Sequence, residues 1–242
     1  MLPVTAERGY LIPAIGDVYV ACAQKLSDSI HKWHPNANVT ILTKEMLPYG
    51  DLGGYANDWQ VFTASPYRQT IKLEADMICT SPIDHWWTLL EKRDVVISQG
   101  ARDFYDQSAI SRYYRKIFDE NKLPDVYNAI TYWRLSHTAK EFFNLVQVIF
   151  EQWDSYKKIL KFPDEAPTTD VVYAIAAQIL GPEQVTLPVG LGPTIVHMKR
   201  YINPIQTTDW TQELVWENNP FRINTVAQFG LVHYHVKEWL SE

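Results

Sequence analysis

The stretch Arg8-Gly-Tyr-Leu-Ile-Pro-Ala14 begins the pattern that decides the fold class. It predicts a first β-strand, and Gly16-Asp17 behind it supplies a turn and a helix N-terminus. Apolar residues then recur at intervals of three and four positions and indicate an amphipathic helix: Cys22, Leu26, Ile30 and Trp33. Pro35 ends this helix, and residues 39–43 predict a second strand. Strand, helix and strand together take about 35 residues, which is the length of a crossover unit between parallel strands.

Strands and helices continue to alternate along the rest of the chain. Further strands are predicted over residues 70–73, 94–98, 126–134 and 230–234. Thr138-Ala-Lys-Glu141 forms a capping box and predicts a long helix whose buried stripe extends to Trp153, and residues 168–180 predict another helix. This order predicts a single α/β domain, residues 1–242, with a mostly parallel sheet flanked by helices and a more irregular C-terminal part. Ligands of such sheets bind at the carboxyl ends of the strands.

Composition and charge exclude several classes of protein. The 242 residues include Lys+Arg 22 against Asp+Glu 28, a formal charge of −6, so there is no surplus of cations for a phosphate backbone and nucleic-acid binding is not expected. The two cysteines are too few for a disulfide framework or a zinc ribbon. The sequence has neither a long apolar segment nor a secretory signal, and we expect a cytoplasmic protein without a membrane partner. Phosphate-loop, dinucleotide-binding and nucleophile-elbow motifs are absent as well.

Two carboxylates directly follow the predicted strand of residues 70–73, in Glu74-Ala75-Asp76. Placed at i and i+2 beyond the end of an apolar strand, both can point toward one cleft. Two oxygen ligands leave Mg²⁺ or Mn²⁺ several open positions for phosphate oxygens and water. Such an ion stabilises the negative charge that builds on a nucleoside diphosphate when the bond to its sugar breaks. Taken alone, the tripeptide favours a simpler interpretation, in which two acids solvate a strand end.

The surrounding sequence resembles a known family. Residues 57–84 are similar to the segment of GT-A fold glycosyltransferases in which a helix and a tyrosine-arginine turn precede a strand that ends in Asp-x-Asp. The segment is most similar to glycosyltransferase family eight, the glycogenin and galactosyltransferase relatives, with Leu73-Glu-Ala-Asp-Met77 where the family has Leu-Asp-Ala-Asp-Met. Tyr127-Asn-Ala-Ile130 is similar to the family's Phe-Asn-Ser/Ala-Gly strand. Leu231-Val-His-Tyr-His-Val-Lys-Glu-Trp239 resembles its His-Tyr…Gly…Lys-Pro-Trp ending.

The resemblance implies a GT-A-like, Rossmann-type fold and a hexosyltransferase-like enzyme. Such an enzyme moves a sugar from a nucleoside diphosphate sugar, its donor substrate, to a hydroxyl acceptor, with retention of the anomeric configuration. The resemblance also implies a Mn²⁺ or Mg²⁺ ion held by Glu74, Asp76 and His233, with Glu74 near the ribose as well. A neutral imidazole is an acceptable third ligand for Mn²⁺.

Further site residues follow from the same resemblance. Ala14, at the end of the first strand, would contact the nucleotide. Lys237 and Arg68 would offset the charge of the diphosphate. Asn128 and Asp170 would hold hydroxyl groups of the donor sugar.

Several alternatives stay open at the level of the sequence. His235 or His197 could replace His233 as the third ligand, and the same histidines could instead hold zinc in a hydrolase. Asp170 could be a first-turn acid stabilised by the helix dipole, and Arg68 a surface cation. A third possibility is a non-catalytic relative that binds nucleotide sugars without turning them over.

Overall fold

A computed structural model describes residues 3–106, 115–188, 190–193, 195–197, 221–223 and 226–234. Its strands, in chain order, are β1 (Ala6–Pro13), β2 (Val39–Leu42), β3 (Tyr67–Leu73), β4 (Met77–Cys79), β5 (Val95–Gln99), β6 (Ala101–Arg102), β7 (Val126–Arg134), β8 (Ile195–His197), β9 (Arg222–Ile223), β10 (Val226–Ala227) and β11 (Leu231–His233). The α-helices are α1 (Asp17–Trp33), α2 (Val61–Ala64), α3 (His85–Leu90), α4 (Arg115–Glu120), α5 (His137–Glu151), α6 (Trp153–Leu160), α7 (Thr169–Leu180) and α8 (Pro182–Val185). Short 3₁₀ helices span Lys44–Met46 and Gly54–Gln60.

Within the described ranges, the main sheet contains five strands in the order β2-β1-β3-β7-β5. Strand β1 pairs in parallel with β2 and β3, whereas β7 runs antiparallel to both β3 and β5. Strand β5 therefore runs in the same direction as β1, β2 and β3, and β7 is the reversed strand of the five. The predicted α/β fold, with a mostly parallel sheet flanked by helices, is confirmed.

Side chains of β1 alternate between the two faces of this sheet. Tyr10 and Ile12 pack in one core cluster with the buried stripe of α1, and Leu11 packs in the other with α5 and α7. Helix α1 buries most of the predicted stripe, with Trp33 half-buried against the same cluster. Because helices cover both faces, a central strand is buried on both sides, and eight of the nine residues of β7 are buried.

A second sheet lies beyond the carboxyl end of β3. It has the order β4-β11-β8-β6, in which β11 is antiparallel to β4 and parallel to β8. Residues 74–76 connect β3 of the main sheet to β4 of this sheet. The C-terminal part of the chain therefore returns to the edge at which ligands of α/β sheets bind.

The helix that follows β7 differs from its prediction at both ends. Ser136 is the N-cap instead of Thr138, because the Ser136 hydroxyl oxygen accepts a hydrogen bond from the Ala139 N–H at 3.1 Å. The predicted capping box is therefore wrong. Helix α5 also ends before Trp153, which begins α6, since the backbone of Gln152 (φ −111°, ψ 26°) leaves the helical region between them.

Candidate functional site

The link between the two sheets carries the acidic pair. Since β4 pairs antiparallel with β11, with Met77 as the register partner of His233, the last strand lies beside residues 74–76. The Tyr234 N–H donates to the carbonyl oxygen of Asp76 at 3.1 Å, which extends this pairing to the acid itself. Side chains 157 positions apart in the sequence thus meet at the carboxyl edge of the main sheet.

Glu74, Asp76 and His233 form one cluster, called here the acid–histidine trio. His233 Nε2 lies 3.0 Å from Asp76 Oδ1 and 3.1 Å from Glu74 Oε2. One ligand atom from each of the three residues lies within 4.8 Å of the other two. The exposed fraction of the side chain rises from 5% for His233 through 12% for Asp76 to 34% for Glu74, so the trio is open to solvent on the Glu74 side.

The donor atoms of the trio fit a divalent cation. Two carboxylate oxygens and one imidazole nitrogen are ligands that Mn²⁺ accepts, and Mg²⁺ takes the oxygens readily. In an octahedral site with bonds of about 2.1 Å, adjacent ligand atoms are about 3 Å apart. His233 Nε2 lies at this separation, 3.0 and 3.1 Å, from the two carboxylate oxygens. Three protein ligands would also leave positions for other oxygens.

Negative charge predominates in and below the trio. This region contains one buried ammonium group, that of Lys72, which pairs with Asp58 at 2.8 Å. Its carboxylates number four: Asp58, Glu74, Asp76 and Asp170. Burial raises the pKa of Glu74 above its usual value, against the opposing effect of His233 and Lys72 and with a further rise from the neighbouring carboxylates. A bound cation would instead lower the pKa of Glu74, because it stabilises the ionised carboxylate.

Asn128 and Asp170 lie together next to Glu74. The Glu74 N–H donates to the Ala129 carbonyl oxygen at 3.2 Å, so β7, the reversed strand, brings Asn128 to the same edge of the sheet. Asp170 lies in the first turn of α7, and its Oδ1 accepts a hydrogen bond from the Asn128 backbone N–H at 2.7 Å. Asp170 is therefore both a first-turn acid that the helix dipole favours and a neighbour of the trio.

A buried polar network under these residues was not predicted from the sequence. Lys72 is 2% exposed, and its Nζ lies 2.8 Å from Asp58 Oδ1 and 2.8 Å from Asn128 Oδ1. Tyr173 donates its hydroxyl hydrogen to Asp58 Oδ2 at 2.5 Å. Burial and the adjacent Asp58 carboxylate raise the pKa of Tyr173 well above its usual value, so the hydroxyl stays a donor. The available signal was a lysine between Ile71 and Leu73 in an apolar strand.

The structure places Ala14 near the trio and Arg68 far from it. Ala14 directly follows β1, and the parallel register of Leu11 with Lys72 places it level with residues 74–76 at the same edge. Its side chain is buried, so its backbone is the part that a nucleotide could contact. Arg68 lies at the opposite end of β3, about 20 Å from the trio at ~3.3 Å per residue. It is exposed and paired with Glu7 at 3.2 Å, so the structure does not bring it to the predicted diphosphate site.

The remaining candidates lie in the C-terminal part of the chain. Lys237 and His235 are outside the described residues. His197 is the register partner of His233 on the neighbouring strand β8. Of the three candidate histidines, His233 is the one whose side chain the structure describes in contact with the acidic pair.

Solved structures similar to this chain are glycosyltransferases. The galactosyltransferase LgtC, in complex with donor and acceptor sugar analogues, is 12% identical, with a TM-score of 0.53 over 94% of this chain and 87% of its own. Mouse xyloside xylosyltransferase 1 in its apo form is 10% identical, with a TM-score of 0.55 over 96% of this chain and 98% of its own. The bifunctional glycosyltransferase WbbM in its apo form is 10% identical, with a TM-score of 0.53 over 97% of this chain and 47% of its own.

At these identities the likeness establishes the fold. The chain has the mixed α/β architecture of GT-A-like glycosyltransferases, as the sequence predicted. No protein-family model and no curated protein sequence matches the chain. Among the helices that the structure describes, none has both the length and the apolar character needed to cross a membrane.

Proposed function

We propose that this protein is a metal-dependent glycosyltransferase of the GT-A type, with the motifs of family eight. It transfers a hexose from a nucleoside diphosphate sugar to a hydroxyl acceptor with retention of the anomeric configuration. The observation that carries the proposal is the convergence of Glu74, Asp76 and His233 at the carboxyl end of β3, in a fold of this class. Two acids that only solvate a strand end would not require a buried imidazole from a distant strand between them.

Each predicted residue other than Arg68 then has a role. Glu74, Asp76 and His233 hold Mn²⁺ or Mg²⁺, and the ion, when bound, offsets the charge of the diphosphate leaving group. The backbone at Ala14 contacts the nucleotide, because it lies level with the trio one strand away. Lys237 supplies positive charge for the phosphates.

The donor sugar lies against Asn128 and Asp170, the polar groups next to Glu74. The acceptor hydroxyl oxygen bonds to the anomeric carbon while the bond from that carbon to the diphosphate oxygen breaks. The bonding electrons leave with the diphosphate, which also takes the acceptor proton. The part of the protein in this step is therefore to orient the donor and to offset charge.

Calorimetry of nucleotide binding tests the proposal. We would titrate uridine, guanosine, adenosine, cytidine and thymidine diphosphates, each free and as its glucose or galactose ester, with Mn²⁺ and with a chelator. The variant Asp76→Asn removes a ligand charge. The matched control Asp94→Asn removes a carboxylate at the other edge of the sheet, where Asp94 pairs with Arg134 at 2.6 Å. We expect Mn²⁺-dependent binding that Asp76→Asn weakens at least about tenfold and Asp94→Asn does not.

Three other outcomes separate the alternatives. Equal, metal-independent binding by all three proteins would reject the metal site. Tightly held zinc in the purified protein, found by elemental analysis, would indicate the hydrolase. Binding without release of nucleoside diphosphate over a broad acceptor panel would identify a non-catalytic relative.

A further inference from the structure

Lys72 is a buried cation directly below the candidate sugar site. It precedes the last residue of β3, and its neighbours Ile71 and Leu73 pack in the cluster on the opposite face of the sheet. Its ammonium group contacts Asp58 and Asn128, both at 2.8 Å. A lysine is almost never fully buried unless it is paired, so these contacts determine where the ammonium group lies.

Asp58 and Tyr173 hold the ammonium group in place. Asp58 Oδ1 accepts from Lys72, and Asp58 Oδ2 accepts the hydroxyl hydrogen of Tyr173, so both oxygens of this carboxylate are engaged. The Lys72 Nζ also lies 5.7 Å from the centroid of the Tyr173 ring, a favourable cation–π distance. Asp58 belongs to a 3₁₀ helix and Tyr173 to α7, so two elements besides β3 fix the position of the ammonium group.

This ammonium group determines which way the Asn128 carboxamide faces. An ammonium group only donates hydrogen bonds, so the amide oxygen must face it, and the Thr131 hydroxyl lies 3.3 Å from the same oxygen. Rotating the amide by half a turn would set its NH₂ group against the ammonium group of Lys72, which cannot accept a hydrogen bond. Among the described residues, no acceptor lies within hydrogen-bond distance of Asn128 Nδ2. The NH₂ group is therefore the part of Asn128 that is left for a ligand.

Asp170 supplies the complementary group beside it. Its Oδ1 accepts from the Asn128 backbone N–H at 2.7 Å, and its Oδ2 has no donor among the described residues. The pair thus offers one N–H donor and one carboxylate acceptor. A hydroxyl group is the ligand that matches both, because it accepts and donates at once.

We propose that Lys72 is a positioning residue that fixes the Asn128 amide with its NH₂ toward the donor sugar, so that Asn128 and Asp170 together bind a sugar hydroxyl. This inference rests on the proposed function, since it assigns the sugar half of the donor to that site. Lys72 acts through Asn128 and touches neither the nucleotide nor the ion.

The test compares sugar-dependent binding in Lys72→Met, Asn128→Ala and the double variant. The probes are the nucleoside diphosphates named above and their glucose and galactose esters, all with Mn²⁺. We expect Lys72→Met to weaken binding of the ester roughly tenfold more than binding of the free diphosphate, the size of one hydrogen bond. The loss of the Lys72 charge beside Glu74 affects both ligands, so the preference for the ester is the quantity compared. Because Lys72 acts through Asn128, the double variant should have the same preference for the ester as Asn128→Ala alone. A residue with a merely structural role would affect both ligands alike.

Two further variants control for folding. Thr70→Val removes another buried polar contact of β3, the 2.7 Å bond to the Ser65 hydroxyl, and should leave the preference for the ester unchanged. If Lys72→Met does not fold because Asp58 is left buried without a cation, the variant with both Lys72→Met and Asp58→Asn replaces it. The comparison of single and double variants with Asn128→Ala is then repeated with that variant.

The outcomes separate this inference from the proposed function. If no diphosphate binds the wild-type protein with Mn²⁺, both are overturned. If diphosphates bind but the esters bind no tighter, or if Lys72→Met leaves the preference for the ester unchanged, only the inference is overturned. The inference alone is also overturned if the effects of Lys72→Met and Asn128→Ala on the preference for the ester multiply in the double variant, because Lys72 would then act independently of Asn128.

Discussion

Replacing Tyr173 with phenylalanine removes one buried hydroxyl group and leaves the aromatic ring in place. The hydroxyl donates to Asp58 Oδ2 at 2.5 Å, and the tyrosine is 0% exposed. Since the same carboxylate pairs with Lys72 at 2.8 Å, the lost hydrogen bond is to a charged group, and such bonds contribute about 1.5–3 kcal/mol. For a chain of 242 residues, 1 kcal/mol corresponds to roughly 2–4 °C in Tm. We therefore expect Tyr173→Phe to lower Tm by about 3–12 °C.

The chain offers a matched control in Tyr67. This tyrosine is 3% exposed, and its hydroxyl lies 2.6 Å from the Thr40 hydroxyl, so both partners are neutral. A neutral hydrogen bond contributes about 1 kcal/mol, and we expect Tyr67→Phe to lower Tm by roughly half as much as Tyr173→Phe. Differential scanning calorimetry of the wild-type protein and both variants in one metal-free buffer measures the difference.

Two results would refute this reasoning. Equal losses in the two variants would mean that the charge on Asp58 adds nothing to its bond with Tyr173. A loss in Tyr173→Phe that disappears between about pH 6 and pH 9 would contradict the raised pKa of Tyr173, which keeps the hydroxyl protonated over this range. Urea titrations of the same proteins give an independent value for each free energy of unfolding.

Three further predictions concern the metal site and two places in the sheet. Burial raises the pKa of Glu74, so protonation of this ligand should weaken Mn²⁺ binding at a higher pH than an ordinary carboxylate would. Electron paramagnetic resonance measures the Mn²⁺ affinity, and Glu74→Gln should remove this contribution to its pH dependence. Hydrogen bonds from Arg134 and its neighbours outweigh partial burial and lower the pKa of Asp94. This carboxylate therefore stabilises the fold at pH values above its unfolded pKa of about 3.9. The stabilisation is lost as the pH falls through the folded pKa. In urea titrations, Asp94→Asn should thus lower the free energy of unfolding at neutral pH by less than about 1 kcal/mol, because the pair is partly exposed. In strong acid the variant should match the wild type. Gly9→Ala should lower stability by about 1–3 kcal/mol, because its Cβ would lie 2.4 Å from the Tyr67 ring, and a neutral result in thermal melts would contradict this packing.

Most of the sheet could be predicted from local patterns. The run of residues 126–134 became β7 with the predicted bounds, because it is rich in the β-branched and aromatic residues that strands favour. The N-cap of α5 was missed because Ser136 and Thr138 carry the same hydroxyl chemistry two positions apart, and backbone geometry selects between them. Local sequence does not contain that geometry.

The sequence drew attention to the two acidic residues of the candidate site, but not to all of their neighbours. The rule that places ligands at the carboxyl ends of strands drew attention to Glu74 and Asp76. Their assignment as metal ligands needed the family resemblance, because the tripeptide alone favours two acids that solvate a strand end. His233 entered through a family resemblance, since nothing local shows that β11 would pair with β4. The network around Lys72 was missed because its partners come from three segments far apart in the chain. The rule that a buried lysine must be paired shows that partners exist, without showing which they are.

The pairing of β4 with β11 also sets the moment during synthesis at which the acid–histidine trio can first form. At ~5–20 residues per second, a ribosome needs about 8–30 s to add the 157 positions that separate Asp76 from His233. The nascent chain can form its main sheet in that interval, yet it lacks His233, the third residue of the trio. Under the proposed function, ion binding at this edge would therefore require translation beyond His233, and a product that ends before this residue would lack one ligand even if its main sheet folded.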